Sequence, residues 1–223
     1  MSKPKLTCFD LDHTLLSGDS DVLWCDYLVE TGHLDRLQFE AKNADMEAQY
    51  KAGTVAMAEF ANFYVSTLAG RTPSFWEPVR QAFFQERIRP CIPASAMNLV
   101  KQHQAAGDLV VLTTATNRFI TELTARHLGD LHLIAIEPEL IGGVFTGKTT
   151  GILNMREGKV ARLSAWLVER GQQLGDFDSA AYSDSINDLA LLAAVDHAVA
   201  VDPDARLQAE AKVRGWRVLR LER

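Results

Sequence analysis

The feature that most constrains this chain is Lys5-Leu6-Thr7-Cys8-Phe9, a mostly apolar run that passes directly into Asp10-Leu11-Asp12-His13-Thr14-Leu15. A short continuous apolar run reads as a strand buried on both faces, the kind found inside parallel sheets. Open α/β sheets place their ligands at the carboxyl ends of such strands, so Asp10 and Asp12 are delivered to the functional edge. Two carboxylates one residue apart repel each other, and their joint ionisation calls for a cation. With neither His nor Cys at metal-ligand spacing nearby, hard oxygen donors favour Mg²⁺ over zinc. A strand that merely ends in a polar turn would also explain Asp-x-Asp alone, so the rest of the chain has to decide.

After Leu16, the turn Ser17-Gly18-Asp19-Ser20-Asp21 supplies an Asp or Ser to cap a helix beginning near Val22. From there to about Ile88 the periodicity is helical throughout. Leu23, Tyr27 and Leu28 share a face, Ala56, Phe60, Phe63 and Tyr64 recur at three and four, and Trp76, Val79 and Phe83 repeat the pattern. Gly53, Gly70 and Pro73 punctuate the stretch into about four helices. A single crossover helix needs far fewer residues, so residues 17–89 are expected to form a helical cap inserted after the first strand. Beyond Arg89-Pro90 helix and strand alternate: helix 94–106, strand 109–113, helix 117–127, strand 133–136, a small β-hairpin excursion over 140–151, helix 159–170, strand 180–183, a short helix, strand 197–201, a helix from Pro203 and a last strand 216–221. The expected fold is therefore α/β, a doubly wound, mainly parallel sheet formed by residues 1–16 and 90–223.

Three further stretches sit where an anion would be bound. Thr113-Thr114-Ala115-Thr116 closes a strand just before a helix, bringing hydroxyls and backbone N–H groups to a helix amino terminus, or else serving only as its cap. Gly158-Lys159 opens a helix, where a Lys opposes the macrodipole unless its charge is needed elsewhere. Tyr182-Ser183-Asp184-Ser185-Ile186-Asn187-Asp188 ends another strand with two carboxylates and an amide, of which a simple cap explains one Asp.

Composition narrows the partners. The net charge of -6 argues against a general nucleic-acid binder, which needs a basic face. Cys8, Cys25 and Cys91 are odd in number, far apart and set among apolar neighbours, so they read as reduced residues of a cytoplasmic protein rather than nucleophiles. No apolar run is long enough to span a membrane, and the first strand begins too early to leave room for a signal peptide.

Taken together, the four stretches resemble the haloacid dehalogenase superfamily of phosphohydrolases. Phe9-Asp10-Leu11-Asp12-His13-Thr14-Leu15 looks like its first motif, Leu112-Thr113-Thr114-Ala115 its second, Gly158-Lys159-Val160 its third and the 182–188 stretch its fourth, in the right order along the core. The insert directly after the first motif is similar to the phosphoserine-phosphatase-like branch. The resemblance implies a Mg²⁺-dependent phosphatase that forms an aspartyl phosphate on a small phosphate ester. Asp10 would be the nucleophile and Asp12 the general acid and base. The metal would be held by the carboxylates of Asp10 and Asp184 and the main-chain carbonyl of Asp12, with Thr114, Ala115, Lys159 and Asn187 on the phosphate. Asp188 would support the metal shell or orient Lys159. Whether Thr113 or Thr114 faces the phosphate stays open, with Thr114 preferred, and His13 is either a turn residue or a contact to the leaving group.

Substrate contacts are expected from Asp19 and Asp21. Phosphoserine enzymes of this branch also carry an Arg in the cap, and none occurs between Arg36 and Arg71. Resemblance to relatives makes histidinol phosphate the leading specific expectation, ahead of phosphoserine and other amino-alcohol phosphates. The aromatic set Trp24, Phe60, Phe63, Tyr64, Phe75 and Trp76 lines either a pocket or a core. A phosphotransferase or mutase differs only in what accepts the phosphoryl group. A phospho-accepting receiver domain would be shorter and would lack the helical insert.

Overall fold

The computed structural model describes residues 3–52 and 56–223, so Gly53 of the expected helix breaks lies outside the described residues. Strand β1 (Lys5–Phe9) occupies the middle of a seven-stranded sheet. It is followed by four helices, α1 (Ser20–Glu30), α2 (Arg36–Ala52), α3 (Met57–Val65) and α4 (Pro73–Phe83), all placed between β1 and β2. A wide turn at Phe84–Ile88 leads to α5 (Ala94–Ala105). The alternating half then runs β2 (Leu109–Asn117), α6 (Arg118–His127), β3 (His132–Ile141), β4 (Val144–Thr150), α7 (Glu157–Val168), β5 (Asp178–Ser183), α8 (Leu189–Ala194), β6 (His197–Val201), α9 (Ala205–Arg214) and β7 (Arg217–Leu219). No helix among the described residues is long and apolar enough to cross a membrane.

The sheet order is β4-β3-β2-β1-β5-β6-β7, and every pairing is parallel except β3 with β4. Strand alternation sorts β1 between two layers. Leu6 and Cys8 face Leu163, Leu167, Leu191 and Leu207 from α7, α8 and α9. Phe9 faces the opposite layer, where Val100 and Ile120 of α5 and α6 pack. That second layer continues without a break into Trp24, Leu28, Trp76 and Phe83 of the inserted helices, so one apolar cluster joins insert and sheet. The β3–β4 pair is the expected hairpin excursion. Gly142 and Gly143 turn it with φ of 59° and 78°, the left-handed backbone that a tight hairpin turn requires.

Three local expectations shift. Helix α1 begins at Ser20 rather than near Val22, because Asp19 caps it by accepting from the Asp21 and Val22 N–H groups at 2.9 and 3.0 Å. Strand β2 continues past Thr113 to Asn117, and its register against β3 slips there. Thr113 pairs with Ile134 and Asn117 with Ile136, so four steps on one strand oppose two on the other. Residues 114–116 are thus a bulge rather than a helix cap; the cap of α6 is Asn117, which accepts from the Ile120 N–H at 3.2 Å. The aromatic set also divides. Trp24 and Trp76 are core, donating to Thr67 Oγ1 and the Leu68 carbonyl at 3.0 Å each, whereas Phe60 and Tyr64 line a cavity.

The insert is tied to the sheet half at several places, among them Asn62 of α3, whose Oδ1 accepts from the Thr149 N–H of β4 at 2.8 Å. The insert's entry and exit are pinned together by the Ser17 N–H donating to the Cys91 carbonyl at 2.8 Å. Further out, Arg80 of α4 is buried against α6. Its guanidinium donates to the Phe119 carbonyl at 2.9 Å and Glu122 at 3.2 Å, pairs with Glu77, and lies 4.4 Å from the Phe119 ring centre. Arg80→Ala is therefore expected to cost about 2 kcal/mol in urea unfolding, with Arg80→Met recovering part by keeping the apolar stem over Phe119.

Candidate active site

Because β1 is flanked by β2 and β5, the carboxyl ends of these three strands share one edge, and their following residues converge. Phe9 is in register with Leu112 and Tyr182, which sets Asp10 beside the β2 bulge and the 183–188 loop. The Asp10 N–H donates to the Tyr182 carbonyl at 2.9 Å, extending the sheet by one bond and fixing the carboxylate at its edge. Asp10, Asp12, His13, Ala115, Lys159, Asp184, Asn187 and Asp188 all line one cavity of about 290 Å³.

At its floor, Lys159 is only 2% exposed and its ammonium bridges two acids, 2.7 Å from Asp10 Oδ1 and 2.6 Å from Asp188 Oδ2. Burial opposes that charge, yet the two carboxylates outweigh it and hold the Lys159 ammonium above the usual lysine range. Asp188 also accepts from Ser183 Oγ at 2.8 Å. The second oxygen of Asp10 meets Thr14 Oγ1 at 3.1 Å, and the same hydroxyl is 3.1 Å from Asp184 Oδ1 while accepting from the Asp184 N–H at 3.0 Å. One hydroxyl proton cannot serve both acids at once. Burial accordingly pushes Asp10 up, against the lowering effect of Lys159 and with the neighbouring acids adding to the rise. It pushes Asp184 up to about 6.

Asp12 is held differently. Its Oδ1 accepts from the Ser20 N–H at 2.8 Å and from the Ser20 hydroxyl, and its Oδ2 from Thr116 Oγ1 at 2.9 Å and Thr114 Oγ1 at 3.4 Å. The bulge sends the two threonines different ways, and neither lines the cavity. Thr114 turns toward Asp12, whereas Thr113 accepts from Asn154, whose amide also donates to the Thr114 and Ile134 carbonyls at 2.9 Å each. Asn154 is fully buried and fills the gap that the register slip opens. Asp19 lines the cavity but is spent as the cap of α1. Asp21 keeps one carboxylate oxygen buried with no partner among the described residues, and burial first, then Asp19 and Asp12, push it well above the usual carboxylate range. Sequence reasoning missed Asn154, named Ser20 only as a helix-cap candidate and Thr116 only within the 113–116 stretch, without their bonds to Asp12, and gave Thr14 no role beyond its place in the first motif. Burial pushes the Cys8 thiol up to about 12, far from a nucleophile's range.

The donor set fits a hard divalent cation. Six aspartates line the cavity and Lys159 is the one Lys or Arg among the described residues that do so. Among the described residues no group of three or more His, Cys, Asp or Glu side chains forms a metal cage. Two carboxylates completed by a main-chain carbonyl and by oxygens from outside the protein match the way Mg²⁺ is ordinarily held.

Gly158 is what lets Lys159 reach the floor. A Cβ there would lie 2.0 Å from the Leu153 carbonyl oxygen, a close approach that only glycine permits. Gly158→Ala is expected to shift the first turn of α7, lowering stability by about 1–3 kcal/mol in urea unfolding and moving the Lys159 ammonium off Asp10 in a crystal structure.

Comparison with known proteins agrees with this geometry. Residues 7–193 match the family model described as haloacid dehalogenase-like hydrolase. A histidinol-phosphatase from Neisseria meningitidis serogroup C is 38% identical over 216 residues, covering 96% of this chain and 97% of that protein. A solved structure of a protein with unknown function from Bordetella pertussis Tohama I is 41% identical, with a TM-score of 0.94 over 98% of this chain and 99% of that one. A phospho-aspartyl intermediate analogue of phosphoserine phosphatase, 18% identical, shares the fold with a TM-score of 0.69 over 100% of this chain and 95% of that one. With its four motifs gathered on one cavity and the family model spanning most of its length, this chain belongs to the haloacid dehalogenase-like hydrolases.

Proposed function

We propose that this hydrolase is a Mg²⁺-dependent phosphatase that cleaves a small, amine-bearing phosphomonoester through an aspartyl phosphate on Asp10. The observation that carries the reading is Asp10 itself, a carboxylate with one oxygen on a buried ammonium and the other on a hydroxyl, at the floor of a small cavity. A nucleophile fixed at both oxygens is oriented before substrate arrives. As an Asp10 oxygen forms its bond to phosphorus, the bond to the ester oxygen breaks, and Asp12 gives that oxygen its proton. In the second half Asp12 takes a proton from water as that water attacks phosphorus, which frees Asp10 and inorganic phosphate. Ser20 and Thr116 hold Asp12 for both transfers.

Thr114, Ala115, Lys159 and Asn187 are assigned to the phosphoryl oxygens, with Lys159 kept charged by Asp188. Asp10, Asp184 and the main-chain carbonyl of Asp12 would hold Mg²⁺, which when bound neutralises charge on the phosphoryl group. Residues 17–89 serve as the cap over the site, and the free cysteines fit a cytoplasmic enzyme.

The substrate follows from the charges left over. Asp21 presents a buried, unpartnered carboxylate oxygen, and no Lys or Arg other than Lys159 lines the cavity among the described residues. Such a pocket recognises an ammonium or a protonated ring and has nothing to pair with a substrate carboxylate. Phe60 and Tyr64 on α3 offer it an aromatic wall. An amino-alcohol phosphate with a ring, histidinol phosphate, satisfies all three features, and phosphoserine leaves its carboxylate unmet. The name of the Neisseria relative supports the same choice.

Phosphate release from a panel of small esters tests this. Release is expected to require Mg²⁺, to stop with EDTA and to vanish in Asp10→Asn; metal-independent release, or an active Asp10→Asn, would refute the mechanism. Asp21→Asn is expected to raise KM for histidinol phosphate by about tenfold or more while leaving p-nitrophenyl phosphate nearly unchanged, because it removes one charge-assisted contact. Equal losses on both esters would remove Asp21 from substrate recognition.

A further inference from the structure

The turn that follows β1 is wound on a single acceptor. The Leu11 carbonyl takes the N–H groups of Thr14, Leu15 and Leu16 at 3.2, 2.9 and 2.9 Å, and the His13 N–H donates to the Gly18 carbonyl at 3.0 Å. To close this turn His13 adopts φ of 57°, the left-handed region that a side chain disfavours. A turn of this kind, like the last turn of a helix, leaves its own later carbonyls without main-chain partners. Here three of them meet one group. The guanidinium of Arg223 donates from Nη2 to the His13 and Thr14 carbonyls at 2.5 and 3.2 Å, and from Nη1 to the Leu16 carbonyl at 3.1 Å and Ser17 Oγ at 3.3 Å. Its other edge rests on Asp202 Oδ2, at 3.1 Å from Nε and 2.9 Å from Nη2. Asp202 follows β6, has φ of 42°, and donates its own N–H to the Leu219 carbonyl at 2.9 Å. Arg223 is about three-quarters buried, its side chain 26% exposed.

We propose that Arg223 is a positioning residue for the hydrolysis. The turn it clamps carries Thr14, whose hydroxyl spans Asp10 Oδ2 and Asp184 Oδ1. Through the Thr14 and His13 carbonyls, Arg223 sets where that hydroxyl stands, and so sets the spacing of the two carboxylates on either side of it. The guanidinium suits the task because its donors form a rigid planar fork, able to meet several carbonyls and one carboxylate at once; an ammonium offers one point of charge. Arg223 does not itself line the cavity and touches none of the reacting groups; its one link to the lining is the main-chain carbonyl of His13, and it acts on the chemical step rather than on ester binding. This role rests on the phosphatase reading of Asp10 and Asp184.

The test compares wild type with Arg223→Ala and Arg223→Lys in four measurements: thermal unfolding, steady-state kinetics on the ester that wild type hydrolyses, Mg²⁺ binding by calorimetry, and hydrogen exchange of the Leu15 and Leu16 amides. The expected result for Arg223→Ala is a folded protein with KM within about twofold, kcat lower by about tenfold or more, and Mg²⁺ binding weaker by several-fold. Exchange should accelerate at Leu15 and Leu16 with core strands unchanged, and Arg223→Lys should restore only part of kcat. Guanidinium ion at low millimolar concentration should restore part of kcat in Arg223→Ala. Unchanged kcat and Mg²⁺ binding would overturn the proposal, as would a loss that appears equally in KM and kcat with uniform acceleration of exchange. If Arg223→Ala does not fold, Arg223→Lys carries the same comparison, and wild-type kcat in that variant overturns it. If wild type hydrolyses no ester, the phosphatase reading fails, while Mg²⁺ binding and local exchange still decide whether Arg223 positions the turn.

Discussion

Everything at the catalytic edge depends on one buried cation. Lys159 stands among carboxylates that have been taken out of water, and its ammonium touches two of them, Asp10 and Asp188. A buried ion pair of this kind adds little net stability, since desolvation consumes most of the attraction. Its value lies in direction: with Asp188 also held by Ser183, the ammonium has one available position, and Asp10 is oriented by it. The site nevertheless remains short of positive charge. Asp12, Asp184 and Asp21 have hydroxyls, amides or nothing at all as partners, so the fold holds an unmet demand for positive charge.

The outline of this arrangement was legible because strands ending in acids are local events. The apolar run before Asp10 and the one before Asp184 each declare both a buried strand and the edge where it stops, and parallel order then forces those edges together. That Thr113 and Thr114 would point different ways was not legible, because the bulge that parts them depends on pairing with β3. Asn154, and the bonds of Ser20 and Thr116 to Asp12, were hidden for a related reason. Asn154 serves Thr113 from 41 positions away, and no periodicity in its own neighbourhood hints at the gap it fills. Arg223 is 210 positions from His13, joined to it only when β6 and β7 have been laid down beside the centre of the sheet.

The inserted helices do two kinds of work with one composition. Aromatic spacing alone could not separate them, since Trp24, Phe60, Tyr64 and Trp76 all recur at helical intervals. Position in the fold does: the tryptophans face the apolar cluster shared with α6, where their N–H groups find acceptors, and the residues of α3 face the cavity. The tryptophans thereby belong to the packing that joins insert and sheet, and Phe60 and Tyr64 to the wall of the cavity.

The hydrogen bond between Ser17 and Cys91 gives this division a wider meaning. Where the insert leaves the sheet and where it returns are adjacent points, so to the rest of the molecule the whole insert is a closed loop. The entropic cost of closing a loop rises only logarithmically, about 0.6 kcal/mol for each doubling of its length. Lengthening, shortening or replacing the outer helices therefore asks little of the strands that carry Asp10 and Asp184. One catalytic edge can be paired with many different lids, provided that each new lid keeps an apolar face for α6 and brings its ends back to the same hydrogen bond.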